Sequence, residues 1–347
     1  MMSEASSSGR DLPTARAGTE PDRPGSATSS APVTDPLHAM VASPTFAVDG
    51  RCFAARESGL ERSTDGGKTW TSVRDVGGRG SPSPVTCVAF APIDTIPGCL
   101  FAGALGGVMR SSDDGQTWRV AVLPTPPPLV SCLAVSPAFT EDGVVFAGTL
   151  EDGIVQSSDR GHSWRRWNFG LLDLGVLAIA VSPTFASDET VYAGTETGLF
   201  VSTNGGRAWR ETGFPEEAAP VLSLGVPPCL SHGGVVWAGT EHSGLWRSSD
   251  GGQTWTRLDY GGPSDAINQI VVAPSGHWVL VAMPTSVLLT RDDGTSWTLV
   301  AEASGGGGIA AVAAPEGLDP GAPILLAQRN GTLRRVKIPN DEKARIC

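Results

Sequence analysis

The octapeptide STDGGKTW occupies residues 63–70, and five close copies of it follow along the chain. The copies read SSDDGQTW at 111–118, SSDRGHSW at 157–164, STNGGRAW at 202–209, SSDGGQTW at 248–255 and TRDDGTSW at 290–297. Their terminal tryptophans are 42 to 48 residues apart. A repeat at this period indicates one structural unit used many times, because each unit buries its apolar surface only against its neighbours.

Two further columns of residues extend the repeat from six units to seven. The first column is a residue, usually aromatic, that directly precedes an alanine: Phe53, Phe101, Phe146, Tyr192, Trp237, Val281 and Leu326. The second column is a proline that ends an apolar run: Pro44, Pro92, Pro137, Pro183, Pro227, Pro274 and Pro315. Both columns have seven members, so the sequence predicts seven units, of which the last lacks the octapeptide.

Each unit contains the pattern of four short strands. In the fourth unit, the run VLAIAVSP predicts a buried strand that a proline ends, TVYAGT and GLFVS predict two more strands, and the residues after Trp209 predict an outer one. Four strands at a period of roughly 45 residues are typical of a β-propeller blade. The predicted fold class is therefore all-β: a seven-bladed β-propeller over residues 38–338, with octapeptide turns between the third and fourth strands of six blades.

Outside this ring, composition predicts two tails. Residues 1–37 are rich in Ser, Pro, Gly and Ala, a composition that predicts a disordered segment. Residues 339–347 follow the last predicted strand and are predicted to be a C-terminal tail. The seventh unit shows three strands only, which leaves its sheet edge open. Residues 31–38 directly precede the first unit and are the candidate for the closing strand, since prolines are tolerated at a sheet edge.

The octapeptide has a physical explanation as a turn that supports itself. An Asp or Asn side chain accepts hydrogen bonds from N–H groups of the turn, and the Gly two residues later supplies a positive φ. The terminal Trp returns into the fourth strand as an apolar anchor. A structural role, and not a catalytic or metal-binding one, is therefore predicted for Asp65, Trp70, Asp113, Trp118, Asp159, Trp164, Asn204, Trp209, Asp250, Trp255, Asp292 and Trp297.

This octapeptide resembles the Asp-box, or BNR, repeat S-x-D-x-G-x-x-W. The repeat is found in sialidases, Vps10/sortilin ectodomains, some xyloglucan-cleaving glycosidases and photosystem II assembly factors, so the resemblance implies a sialidase-like, WD40/YVTN/BNR-like propeller. It covers six of the seven units, with Asn204 in place of Asp and Thr290 in place of the first Ser. In those families the Asp-box turns lie away from the ligand face, so the resemblance implies the fold and leaves the function open.

Composition and charge narrow the function classes. The chain has 347 residues, of which 40% are hydrophobic, and no apolar run approaches the roughly 18 residues of a membrane span. A net charge of −11 argues against a nucleic-acid partner, because such binding draws on neutralised phosphates. No apolar signal segment is visible, and six cysteines are scattered without metal-ligand spacing. The sequence therefore predicts a cytoplasmic protein with neither metal nor cofactor.

A catalytic set is hard to assemble from the remaining residues. By resemblance, a propeller sialidase needs three arginines and a Tyr activated by a Glu, and the Arg-Ile-Pro segment that carries the first arginine is absent from this sequence. Glu196 and Glu241 are a candidate carboxylate pair for glycoside hydrolysis. Each follows AGT in a short turn, however, where a solvated charge is the simpler explanation. No catalytic residue is predicted, and a glycoside hydrolase, a sialidase-like enzyme or a glycan-binding propeller is the alternative function.

The main prediction is a non-enzymatic protein-interaction or assembly scaffold, with a protein partner and with a glycan as the second candidate ligand. The segment RRWNFGLLDLGV at 165–176 places aromatic residues beside arginines, a combination typical of interface anchors. Ordinary packing over the blade edge is the other explanation of this segment. The candidate binding residues are Arg166, Trp167, Phe169, Glu196, Glu241, His242 and Tyr260.

Overall fold

A computed structural model describes residues 35–73, 83–92, 98–123, 128–227, 234–262 and 265–340. Within these ranges the strands form seven antiparallel sheets, six with four strands and one with three. Each sheet is completed before the next begins, so each is one blade built from consecutive strands. The predicted all-β, seven-bladed propeller is confirmed.

The first four blades contain sixteen of the strands. Blade 1 comprises β1 (Leu37–Ala42), β2 (Cys52–Arg56), β3 (Gly59–Ser63) and β4 (Thr71–Val73). Blade 2 comprises β5 (Val85–Phe90), β6 (Leu100–Ala104), β7 (Gly107–Ser111) and β8 (Arg119–Val122). Blade 3 comprises β9 (Val130–Val135), β10 (Val145–Thr149), β11 (Ile154–Ser157) and β12 (Arg165–Arg166). Blade 4 comprises β13 (Val176–Val181), β14 (Val191–Thr195), β15 (Leu199–Ser202) and β16 (Arg210–Glu211).

The last three blades follow the same order. Blade 5 comprises β17 (Val221–Gly225), β18 (Val236–Thr240), β19 (Leu245–Ser248) and β20 (Thr256–Leu258). Blade 6 comprises β21 (Gln269–Val272), β22 (Val279–Ala282), β23 (Ser286–Thr290) and β24 (Thr298–Glu302). Blade 7 comprises β25 (Ile309–Ala313), β26 (Pro323–Gln328) and β27 (Leu333–Lys337).

The first strands of successive blades contact one another, and β1 contacts β25, which closes the ring. Polar side chains on these inner strands bond to the next blade: the Ser223 hydroxyl donates to the Ile267 carbonyl at 2.7 Å, and the Asn268 amide donates to the Ile309 carbonyl at 2.9 Å. Every residue of the second strand of each blade is buried. The core therefore lies between neighbouring blades.

The aromatic column and the octapeptide glycine meet across the blade interfaces. Phe101, fully buried in blade 2, lies against Gly161 of blade 3, where an added Cβ would stand 2.5 Å from the ring. Gly161 also has a φ of +83°, which favours glycine. Phe146 packs in the same way on Gly206 of blade 4. The glycine is thus required both by the turn and by the ring that the preceding blade inserts.

The octapeptide turns connect the third and fourth strands of six blades, as predicted. In blade 2 the Asp113 carboxylate accepts hydrogen bonds from the Ser111 hydroxyl at 2.8 Å, the Thr117 N–H at 2.8 Å and the Thr117 hydroxyl at 2.5 Å. Trp118 donates its indole N–H to the Gly115 carbonyl at 3.2 Å. The same carboxylate bonds recur at Asp65, Asp159, Asp250 and Asp292. The turn is self-supporting, as its residue types predict.

Short helices join the first and second strands in three blades, and the sequence analysis did not anticipate them. They are α1 (Phe46–Asp49), α2 (Phe139–Asp142) and α3 (Phe185–Asp188), and a 3₁₀ turn covers Glu216–Ala218. The sequences SPTF and SPAF were the available signal. In blade 4, Phe185 packs edge-to-face on Phe146, with ring centroids 5.7 Å apart. These helices therefore contribute the aromatic rings that seal the blade interfaces.

The tails predicted at the two ends fall largely on residues 1–34 and 341–347, which lie outside the described residues. Leu37 and His38 belong to β1, which pairs with β2. Residues 31–34 of the predicted closing strand at 31–38 lie outside the described residues, and its pairing with blade 7 stays a prediction. Within the described ranges, no helix is both long enough and apolar enough to cross a membrane.

Candidate functional site

The two ends of the blades present different surfaces. Because consecutive strands are antiparallel, the turns between second and third strands lie on the same face as the segments that lead from one blade to the next. We call this the upper face. The octapeptide turns and the short helices lie on the opposite face, which we call the lower face.

The segment from blade 3 to blade 4 is fastened to both blades. The Arg166 guanidinium forms a 2.7 Å ion pair with Asp152, in the upper turn of blade 3. Asn168 accepts a hydrogen bond from the Ile154 N–H at 2.9 Å. Asp173 accepts hydrogen bonds from the N–H and the hydroxyl of Thr197, in the upper turn of blade 4. The segment is thus held at both ends, and between them the Phe169 carbonyl accepts a hydrogen bond at 2.8 Å from the N–H of Trp209, which ends the blade 4 octapeptide.

This fastened segment exposes apolar side chains. Phe169 is 80% exposed, Leu172 is 76% exposed and Leu174 is 39% exposed. Leu171 is buried and anchors the segment from below. Arg166 and Phe169, two of the candidate binding residues, therefore lie in one rigid surface segment.

Two leucines outside this segment extend the apolar surface, and the sequence analysis missed them. Leu105 is 68% exposed in the upper turn of blade 2, and Leu150 is half-buried in that of blade 3. In the aligned repeats, Glu57, Glu196 and Glu241 stand at the same place in blades 1, 4 and 5. Leu105 and Leu150 replace this repeated glutamate in blades 2 and 3, and that replacement is the sequence signal that predicts an apolar surface there.

Backbone hydrogen bonds connect the upper turns of blades 2 and 3 with the segments that lead to blades 3 and 4. Leu105 forms a β-bridge with Leu129, and the Leu150 N–H donates to the Leu129 carbonyl at 3.1 Å. The Gly153 N–H donates to the Leu174 carbonyl at 3.0 Å. We name Leu105, Leu150, Phe169, Leu172 and Leu174 the leucine surface.

Acidic side chains flank the leucine surface on the upper face. Glu196 is exposed, and the side chain of Glu241 is 45% exposed. His242, whose side chain is 77% exposed, lies 3.7 Å from the Glu241 carboxylate. These three candidate residues lie in the upper turns of blades 4 and 5. Exposed carboxylates at the side of an apolar surface favour a ligand that carries positive charge.

Phe169 is the one candidate residue that belongs to the leucine surface, and the last two candidates, Trp167 and Tyr260, contact neighbouring blades instead. Trp167 lines a cleft between blades 3 and 4, below the upper face. Tyr260 is 6% exposed and packs edge-to-face on Trp297, with centroids 6.2 Å apart. Burial raises the pKa of the Tyr260 phenol above its ordinary value. Tyr260 therefore contributes mainly to the packing between blades 5 and 6.

The described residues contain no group of three or more His, Cys, Asp or Glu side chains placed to hold a metal ion. Cys87 and Cys132 occupy equivalent inner-strand positions, beside Gly103 and Gly148. Burial raises the pKa of Cys87 to about 12 and that of Cys132 to about 11. Both thiols are therefore protonated at neutral pH and pack as small apolar side chains.

The fold and the exposed side chains together define a seven-bladed β-propeller with exposed apolar residues, Phe169 and Leu172, on the segment between blades 3 and 4. No protein family and no curated protein sequence matches this chain. Among solved structures, it is similar to the GH74 xyloglucanase from Xanthomonas campestris, with a TM-score of 0.68, 17% identity and 88% of this chain covered. It is also similar to YCF48 bound to D1 peptide, with a TM-score of 0.63, 16% identity and 90% of this chain covered.

A third similar structure is the extracellular domain of BT4673 from B. thetaiotaomicron, with a TM-score of 0.64, 15% identity and 88% of this chain covered. The chain spans 38% of that domain and 52% of the xyloglucanase, but 94% of YCF48. These similarities establish the propeller fold, which both enzymes and non-enzymatic proteins use.

Proposed function

We propose that this protein is a non-enzymatic protein-interaction scaffold built on an Asp-box propeller, and that a protein partner docks on the leucine surface. The observation that carries the proposal is the exposure of Phe169, Leu172 and Leu105 on segments that hydrogen bonds hold in place. Contiguous exposed apolar side chains rimmed by polar ones mark interaction sites. A rigid surface also binds without a large ordering cost.

The energetics favour a protein partner with an apolar and basic surface. Burial of a Leu or Phe side chain contributes about 1.5–3 kcal/mol, so a few of these positions are enough to serve as interface anchors. The flanking Glu196 and Glu241 would pair with lysines or arginines at the rim and would select against acidic partners.

Two further observations support this proposal. The carboxylate bonds of Asp113 and its counterparts are those that the Asp-box resemblance implies for a structural turn. YCF48, which is similar to this chain over nearly its whole length, was solved with a bound peptide. A cytoplasmic location belongs to the same proposal, because the four described cysteines are unpaired thiols.

The test compares partner capture by three forms of the full chain. In the first variant, Leu105→Glu and Leu172→Glu place charges in the leucine surface. In the matched control, Val48→Glu changes a residue that is 89% exposed in α1, on the lower face. Proteins from cells that express each tagged form are cross-linked, purified and quantified by mass spectrometry.

We expect the wild type and the Val48→Glu control to retain the same protein, and the double variant to lose it at least tenfold. Melting temperatures of the three forms should agree, because exposed positions contribute little to stability. Equal capture by all three forms, or equal loss in both variants, would show that the leucine surface is not the docking site.

A further inference from the structure

A cleft of about 330 Å³ separates blades 3 and 4, and the proposed docking function does not use it. Its volume lies at the lower end of the roughly 300–1,000 Å³ range of ligand pockets. The residues that matter for its chemistry are Asp142, Gln156, Trp167, Phe185, Glu189 and Arg207. Aromatic side chains, charged side chains and one amide therefore line the same cleft.

One repeat position contributes a different side chain to this cleft than to the other blade interfaces. The residue before the first octapeptide position is an arginine in blades 1, 2 and 5, and each reaches the octapeptide turn of the next blade. Arg62 donates to the Asp114 carbonyl at 3.2 Å, Arg110 lies 3.0 Å from the His162 ring, and Arg247 pairs with Asp293 at 3.5 Å.

Gln156 stands at this position in blade 3. Its amide donates to the Gly205 carbonyl at 3.0 Å, so the link to blade 4 is kept. A glutamine is shorter than an arginine and carries no charge. The guanidinium of blades 1, 2 and 5 is therefore absent from this interface, as it is from those after blades 4 and 6, where Val201 and Leu289 stand at this position. Blade 3 differs from all of them in placing an amide there, and that amide lines the cleft.

Trp167 is a second departure from the repeat at the same cleft. Its N–H donates to the Ile154 carbonyl at 3.0 Å, and the N–H of Thr212 makes the equivalent bond to Leu199 in blade 4 at 3.0 Å. The two residues are thus at matching positions. Blade 3 places an indole where blade 4 has a small polar side chain, and that indole lines the cleft.

Glu189 is a third departure. It ends α3 with a φ of 49°, in the left-handed region, where Gly50 and Gly143 end α1 and α2. A non-glycine residue in this conformation is strained, and such strain persists where the side chain has a use. Both carboxylate oxygens of Glu189 accept hydrogen bonds from Arg207, at 2.8 and 2.7 Å.

We propose that this cleft binds a pyranose ring of a glycan. A sugar ring has an apolar C–H face, which stacks on an indole, and an edge of hydroxyls, which bond to planar polar side chains. Trp167 supplies the stacking surface. The Gln156 amide and the Glu189–Arg207 pair supply acceptors and donors beside it. An indole, an amide and a paired carboxylate thus meet at one cleft, and their combined chemistry matches that ligand.

The proposal is independent of the docking function, because none of these residues belongs to the leucine surface. A glycan and a protein partner can therefore be tested separately, and a failure in one assay does not decide the other.

The test titrates the full chain with cellobiose, maltose and lactose, and follows binding by saturation-transfer NMR and calorimetry. Trp167→Ala removes the stacking surface but keeps the backbone carbonyl that accepts the Trp209 indole N–H at 2.8 Å. Gln156→Arg restores the arginine of blades 1, 2 and 5 and fills the cleft. Thr212→Ala changes the matching position in blade 4 and is the control.

At least one disaccharide should bind the wild type and the Thr212→Ala control equally. Trp167→Ala should weaken that binding about tenfold, and Gln156→Arg should abolish it with no loss of melting temperature. The proposal is overturned if none of the three sugars binds, or if a bound sugar is held as tightly by both cleft variants.

Discussion

The octapeptide turn of blade 4 lacks two features of its counterparts, and restoring both should stabilise the protein. Asn204 replaces the aspartate, and Ala208 replaces the Ser or Thr that follows four residues later. The double replacement Asn204→Asp with Ala208→Thr is expected to stabilise the blade by more than the sum of the two single changes.

The size of the effect follows from the hydrogen bonds. The Asp113 carboxylate of blade 2 accepts bonds from two N–H groups and two hydroxyls, the shorter hydroxyl bond coming from Thr117. The Asn204 amide oxygen accepts from the Ser202 hydroxyl and the Ala208 N–H, both at 2.9 Å. The double variant adds a hydroxyl-to-carboxylate bond. Such bonds contribute about 1.5–3 kcal/mol when shielded, so at this exposed turn we expect a coupling of about 1 kcal/mol.

The assay is a double-mutant cycle, which isolates the coupling between two positions. The wild type, the two single variants and the double variant are unfolded with urea at pH 7 and low salt. A gain of about 1 kcal/mol corresponds to roughly 2 °C in melting temperature for a chain of this size. The reverse cycle, Asp113→Asn with Thr117→Ala in blade 2, is the control and should show coupling of similar size.

Additive behaviour of the two changes in blade 4, together with clear coupling in blade 2, would refute this reasoning. It would mean that Asn204 is held by other contacts, such as the Arg207 guanidinium, which donates to the Asn204 carbonyl at 2.6 Å. Additive behaviour in both blades would show that the hydroxyl-to-carboxylate bond contributes little anywhere in the ring.

Three more perturbations test the ring. Trp237 is fully buried, so Trp237→Ala should lower the free energy of unfolding by about 3–5 kcal/mol; a loss below about 1 kcal/mol in urea unfolding would contradict this. Arg56 is buried and donates to the Gly331 carbonyl of blade 7 at 3.0 Å. Arg56→Leu should therefore speed amide hydrogen exchange in β1 and β25 first. An equal increase in all blades would argue against a role of Arg56 in closing the ring. Bonds from the Thr254 hydroxyl and N–H lower the pKa of Asp250 to about 2, below the roughly 3.9 of an unfolded aspartate. The difference in unfolding free energy between the wild type and Asp250→Asn should therefore be complete above about pH 4 and shrink as the pH falls towards 2. Unfolding free energies of the two proteins that fall in parallel over this pH range would refute this prediction.

Much of the fold could be predicted from local patterns, and the candidate site only in part. The type and the neighbours of Phe169 predict an exposed residue, and it is exposed. The same signals hold for Trp167, which lines the cleft between two blades. The position of Tyr260 in a loop predicts exposure, but its ring is buried against Trp297. The exposure of an aromatic side chain depends on what the next blade places against it, which no local pattern contains.

The sequence by itself determined the number of blades, the order of their strands and the chemistry of the octapeptide turns. These features depend on a short period and on bonds between residues a few positions apart, such as Ser111 and Asp113. Only the tertiary structure decided that Leu105 and Leu172 are exposed and that Gln156 and Trp167 line one cleft. The exposure of a side chain and the lining of a cleft depend on how neighbouring blades pack, which no local pattern contains.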